Sequence, residues 1–135
     1  MRRWVITWAA TLVLGLVGVP GAAVAHAGLN APCDYAISGP EVVQVDGAAQ
    51  VSVSVEPVSC GWPAESRRSI ACLQELGAGS PTTCVPADGA ATARVLEPLR
   101  PGAVYVGTGR GCGAYVGFAE ASPECQLLGP VQATL

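Results

Sequence analysis

Six cysteines constrain this chain more than any other feature. Cys33, Cys60, Cys72, Cys84, Cys112 and Cys125 form an even set, and all of them follow an apolar N-terminal leader. Such a set in a small exported chain is a disulfide framework. Neighbouring cysteines are separated by at least 11 residues and no C-x-x-C pair occurs, so the spacing of zinc knuckles is absent. A catalytic thiol needs a partner base, and the single histidine is His26, near the leader. Three structural disulfides are expected, with no metal and no cofactor.

Export is read from the first residues. Met1-Arg2-Arg3 supplies a positive start, Trp4 to Val19 a largely apolar run, and Ala23-Val24-Ala25 an A-x-A cleavage signal. The run is about 16 residues long, short of the ~20 that a spanning helix requires. Residues 1–25 are therefore expected to be a signal peptide, with cleavage after Ala27 as the alternative. Residues 26–135 form one secreted or cell-envelope domain without a membrane span. If His26 became the first residue, its imidazole and amine would offer two nitrogens to Cu(II). The start His26-Ala27-Gly28-Leu29 is faintly similar to secreted copper-carrier β-sandwiches, but their second histidine has no counterpart here, so copper is not expected.

Cleavage also changes the charge. It leaves five arginines against ten acidic residues, a formal charge of −5, and the chain has no lysine. An acidic surface without a basic patch argues against nucleic acid and anionic membranes as partners. Five aromatics remain, Trp62, Tyr35, Tyr105, Tyr115 and Phe118. The core is therefore expected from Val, Leu, Ala and Ile. In the chain-entropy picture a disulfide closing a short loop contributes about 3 kcal/mol. That is a large share of a net stability of roughly 5–15 kcal/mol.

Strand signals run through the whole domain. Val43 and Val45 precede Asp46-Gly47, after which Ala49, Val51, Val53 and Val55 alternate with polar residues. Alternation of period two marks a strand with one buried face, and Asp-Gly suits a type I′ hairpin turn. Ala91, Ala93 and Val95 alternate after Asp88-Gly89, Pro101-Gly102 suits a type II turn, and strands follow over 104–107 and 131–135. Residues 63–76 are ambiguous. Ile70, Leu73 and Leu76 recur at three-residue steps before Gly77, as in a helix, while a strand over 69–74 fits the neighbouring elements better.

These signals predict an all-β fold, an antiparallel sandwich. Leu99-Arg100-Pro101-Gly102-Ala103-Val104-Tyr105 resembles the tyrosine corner of immunoglobulin and fibronectin type III sandwiches. In those, a Tyr at the start of strand F bonds back to the preceding connection. The resemblance implies an immunoglobulin-like sandwich, although Gly107 stands where the antibody-type cysteine would be. Strand order favours a Cys72–Cys84 bridge. The other four cysteines pair among themselves, as Cys33–Cys60 with Cys112–Cys125 or through Cys60–Cys112.

Chemistry is sparse. The run Gly107-Thr108-Gly109-Arg110-Gly111-Cys112-Gly113 lacks the spacing and following helix of a nucleotide loop, and is expected to bend a strand and shape a loop beside a disulfide. Without lysine or an internal histidine, and with acidic residues scattered singly, the chain is not expected to be an enzyme. The candidate site is one pole of the sandwich. Trp62 in the first long loop, Tyr115 and Phe118 in the last, and Arg67, Arg68 and Arg110 beside them would make a tethered contact surface for a protein, glycan or small ligand. The competing expectation is that Trp62 and Phe118 fill the core. In size, acidity, lysine poverty and bridged β-architecture the chain resembles the secreted apoproteins of actinobacterial chromoprotein antibiotics, which implies a small-ligand carrier as the alternative to a binding module. A secreted hydrolase ranks third.

Overall fold

The computed structural model describes residues 32–77, 79–117 and 123–135. The leader, His26 and Phe118 lie outside them. Seven strands follow one another: β1 (Cys33–Val45), β2 (Ala48–Cys60), β3 (Ala64–Glu75), β4 (Thr83–Asp88), β5 (Ala93–Pro98), β6 (Val104–Tyr115) and β7 (Glu124–Thr134). They form two antiparallel sheets, one ordered β1-β2-β5 and the other β4-β3-β6-β7. The core takes residues from both, so the sheets face each other.

Local chemistry explains the first hairpin. Asp46 and Gly47 have φ of 50° and 80°, the two positive values a type I′ turn needs. Val45 then pairs with Ala48 and sets the register that turns Val51, Val53 and Val55 into the core, all fully buried. Burial of each such valine contributes about 1.5–3 kcal/mol. Both strands run further than the alternation over 41–56 indicates, and Cys33 pairs with Cys60 at their far end.

Residues 64–75 are strand, not helix. Paired to β4 on one side and β6 on the other, β3 buries Ser69, Ala71 and Leu73 on its inner face. Ile70 and Leu73 thus point to opposite faces, and Leu76 is exposed. Their three-residue spacing carries no common surface.

The glycine run is also strand, which corrects the expectation of a loop. None of Gly107, Gly109, Gly111 and Gly113 has a positive φ. They alternate on the inner face of β6, where a Cβ at 107 would lie 2.9 Å from Val53 Cγ2 and one at 113 would lie 2.5 Å from Cys33 Sγ. A Cβ at 109 would overlap Val55, and one at 111 the ring of Tyr35. The glycines are there for close approach of the opposite sheet, not for flexibility.

That approach makes room for two tyrosines, which belong to the core alongside Val, Leu, Ala and Ile. Tyr35, 1% exposed, crosses from β1 to the far sheet. Its hydroxyl donates to the Cys112 carbonyl at 2.5 Å and lies 2.8 Å from Ser66 Oγ. Ser66 Oγ in turn donates to the Gly89 carbonyl at 2.7 Å. Tyr105 is equally buried. Its hydroxyl accepts from the Arg100 N–H at 2.9 Å and reaches the Pro98 carbonyl at 3.5 Å. Between them, the turn at Pro101-Gly102 closes with an Ala103 N–H to Arg100 carbonyl bond of 3.1 Å, with Gly102 at φ 79°.

The disulfides are Cys33–Cys60, Cys72–Cys84 and Cys112–Cys125, with no cysteine left free. Each joins directly opposed residues of adjacent strands, β1–β2, β3–β4 and β6–β7 respectively. Three cross-strand bridges are compatible with an exported protein.

Candidate functional site

One end of the molecule gathers the β2–β3 connection, the last residues of β6 and the start of β7. The connection is short, so Trp62 sits in a tight link rather than a long loop. Its backbone is pinned on three sides. Gly61 N–H donates to the Pro32 carbonyl at 2.9 Å, Ala64 N–H to the Gly61 carbonyl at 2.6 Å, and Val116 N–H to the Pro63 carbonyl at 2.6 Å. The Cys33–Cys60 bridge lies directly before it. On this held backbone the Trp62 side chain is 93% exposed. Core filling is therefore overturned for Trp62, because Tyr35 already occupies the interior at this end. Tyr115 is the last residue of β6 rather than a loop residue, pairs with Ala64 and is 41% exposed. Trp62, Pro63, Glu65 and Val116 border an open hollow of about 500 Å³. Phe118 lies outside the described residues.

The three arginines come together one step along, on the outer face of the four-stranded sheet. Between Ser66 and Arg68 the pairing of β3 with β6 shifts by one residue, leaving Arg67 as the extra residue of a bulge. A bulge changes which way neighbouring side chains point. Arg67 and Arg68 consequently share a hollow of about 430 Å³ with Arg110, Asp88 and the Cys112–Cys125 bridge. In register Arg68 stands opposite Cys112, and Arg110 is two residues from Cys112 on the same strand. The two arginines are therefore diagonal neighbours, whose Cα atoms lie roughly 7–8 Å apart in such a ladder.

Their charges are unequally matched. Arg67 Nη1 lies 2.8 Å from Glu65 Oε1, and Arg68 Nε stands 4.0 Å from Asp88 Oδ1. Among the described residues Arg110 has no ion pair. Such exposed pairs contribute little to stability, which leaves the guanidiniums available to something else. Sequence reasoning names all three arginines but misses Asp88, Glu65 and Val116. The Asp88-Gly89 turn is visible in the sequence, yet its position opposite Arg68 depends on the β3–β4 register.

Elsewhere the surface offers less. A cleft of about 260 Å³ opens between the β4 and β5 edges, over buried Leu73 and Tyr105. Glu75 and Glu97 line it beside Pro81 and Pro98, and Arg100 Nη1 lies 3.4 Å from Glu75 Oε1, so its walls mix apolar and charged groups. Among the described residues no three His, Cys, Asp or Glu side chains are grouped to hold a metal ion. No protein-family model, curated protein or solved structure matches the chain.

Proposed function

We propose that this chain is an exported, immunoglobulin-like binding module without catalytic chemistry, and that it recognises its partner through the Trp62 end. Two features support the immunoglobulin-like reading. Strands β1-β2-β5 and β3-β6-β7 follow the A-B-E and C-F-G ladders of those sandwiches, with β4 added beside β3 as a C′ strand is. Tyr105 makes the backward bond of a tyrosine corner. The binding reading is carried by one observation, an indole exposed almost completely on a backbone tied by three hydrogen bonds and a disulfide. Leaving so much apolar area in water is unfavourable, and a rigid mount keeps the entropy cost of contact low.

The test uses the chain's own reporter. After cleavage at Ala25, Trp62 is the sole tryptophan, because Trp4 and Trp8 leave with the leader. Its emission should shift to the blue with one class of cell-envelope glycan or secreted protein, and Tyr115→Ala should weaken that response. Emission unmoved by every such fraction refutes the reading. A carrier holding its ligand between the sheets is less well supported, since the β6 glycines bring the two inner faces into contact.

A further inference from the structure

The arginine hollow is a feature that an exposed tryptophan does not explain. We propose that it receives the carboxylate of a small organic monoanion, gripped between Arg68 and Arg110. This names the ligand chemistry of the binding end and rests on the reading above.

Three observations lead to that class. The first is position. Among the described arginines, Arg67, Arg68 and Arg110 meet in one hollow of an otherwise acidic chain, and the bulge at Arg67 makes the meeting possible. Arg68, opposite Cys112, and Arg110, two residues from it, form a diagonal pair on one face, near enough for two long guanidinium side chains to reach one oxyanion. The second is charge. Glu65 neutralises Arg67 and Asp88 stands at the far limit of Arg68, so three positive and two negative groups leave a single positive charge. A residual charge of one suits a monoanion. A phosphate dianion or a long polyanion would meet the net negative charge of the surrounding surface. The third is the floor. The Cys112–Cys125 bridge and Pro123 line the hollow beside the arginines, and Leu127, paired with Arg110 across the β6–β7 ladder, is 77% exposed. That apolar surface suits the body of an organic acid and would be of no use to a bare inorganic ion.

The experiment is a titration of the oxidised full chain, followed through its backbone amide and arginine Nε–H signals, with benzoate as probe. Benzamide serves as the uncharged analogue of the same shape, and sulfate at equal ionic strength as the bare anion. Benzoate should move the signals of Gly111, Cys112, Arg68 and Arg110 with millimolar affinity, and benzamide should not. Arg110→Gln should weaken benzoate about three- to tenfold, near the net worth of a single hydrogen bond at a solvent-exposed site. Arg94→Gln, on the other sheet, should change nothing. Equal responses to benzoate and benzamide, sulfate binding as tightly as benzoate, or no effect of Arg110→Gln would each overturn the proposal. Since Trp62 emission is measured separately, a failed benzoate titration beside a positive emission shift defeats this inference alone.

Discussion

Gly111→Ala tests the account of how the sheets pack. The substitution adds one methyl group in a strand where backbone φ is ordinary, so on propensity alone it would be harmless or mildly favourable. In the folded protein that Cβ overlaps Cγ and both Cδ atoms of Tyr35. Those atoms are at the base of the ring, and Tyr35 is 1% exposed, so it has nowhere to swing. Forcing extra volume into a close-packed site costs about 1–3 kcal/mol. Moving the ring also draws its hydroxyl from the Cys112 carbonyl and Ser66, and a buried polar group left unpaired costs about 1–3 kcal/mol more. A total of roughly 2–6 kcal/mol would remove a large part of a net stability of about 5–15 kcal/mol. The assay is urea unfolding with the disulfides intact, where the midpoint should fall while the slope holds. Gly61→Ala is the control, because its Cβ would meet only the Pro32 carbonyl at 3.9 Å, and its effect should stay within about 0.5 kcal/mol. In a Tyr35→Leu background the cost of Gly111→Ala should drop below about 1 kcal/mol, since the obstructing ring is gone. An equal cost in both backgrounds, or a loss under about 1 kcal/mol in the wild type, refutes the packing argument.

Three further outcomes follow from other parts of the molecule. Tyr105→Phe keeps the ring and deletes its bond to the Arg100 N–H, so it should cost about 1 kcal/mol in the same unfolding assay. Ser69 Oγ is buried with no partner among the described residues. Ser69→Ala should therefore be neutral or raise the melting temperature, by up to about 4 °C per kcal/mol gained. Replacing Cys72 and Cys84 together by alanine opens a loop of sequence separation 12, which should cost about 3 kcal/mol. That loss should be read by calorimetry against the fully bridged chain.

Signals confined to neighbouring residues are legible in the sequence alone. Asp46-Gly47 and the valines around it, or Arg100 to Tyr105 with its turn, act within a few positions and need no distant partner. The first half of β1 carries such a signal too, since Tyr35 and Ile37 alternate with Asp34 and Ala36, but the stronger valine pattern beside it masks it. The β6 glycines are a different case. Their period of two is a strand signal, but glycine carries no hydrophobicity to mark a face, so the run reads as turn chemistry. Their role emerges only when Tyr35, Val53 and Val55 stand opposite, and that pairing joins residues from three separate strands.

The site is half legible for a related reason. Residue types single out the arginines and Trp62, but which face each occupies depends on register, and a slip of one residue reverses every side chain. The bulge at Arg67 is such a slip, and no residue near it announces one. The same packing also decides where a ligand can go. With a single phenylalanine and three tyrosines in the entire chain, the interior is thin, and the glycine face of β6 lets two tyrosines bridge it. Sheets drawn this close leave no chamber between them along that face. The proposed recognition on the outside fits this packing: bridge Cys33–Cys60 lies directly before the Trp62 connection, and bridge Cys112–Cys125 starts two residues from Arg110 on β6. The interior economy and the exposed site are consequences of one arrangement, and Gly111→Ala disturbs both through Tyr35 and the Cys112 carbonyl it binds.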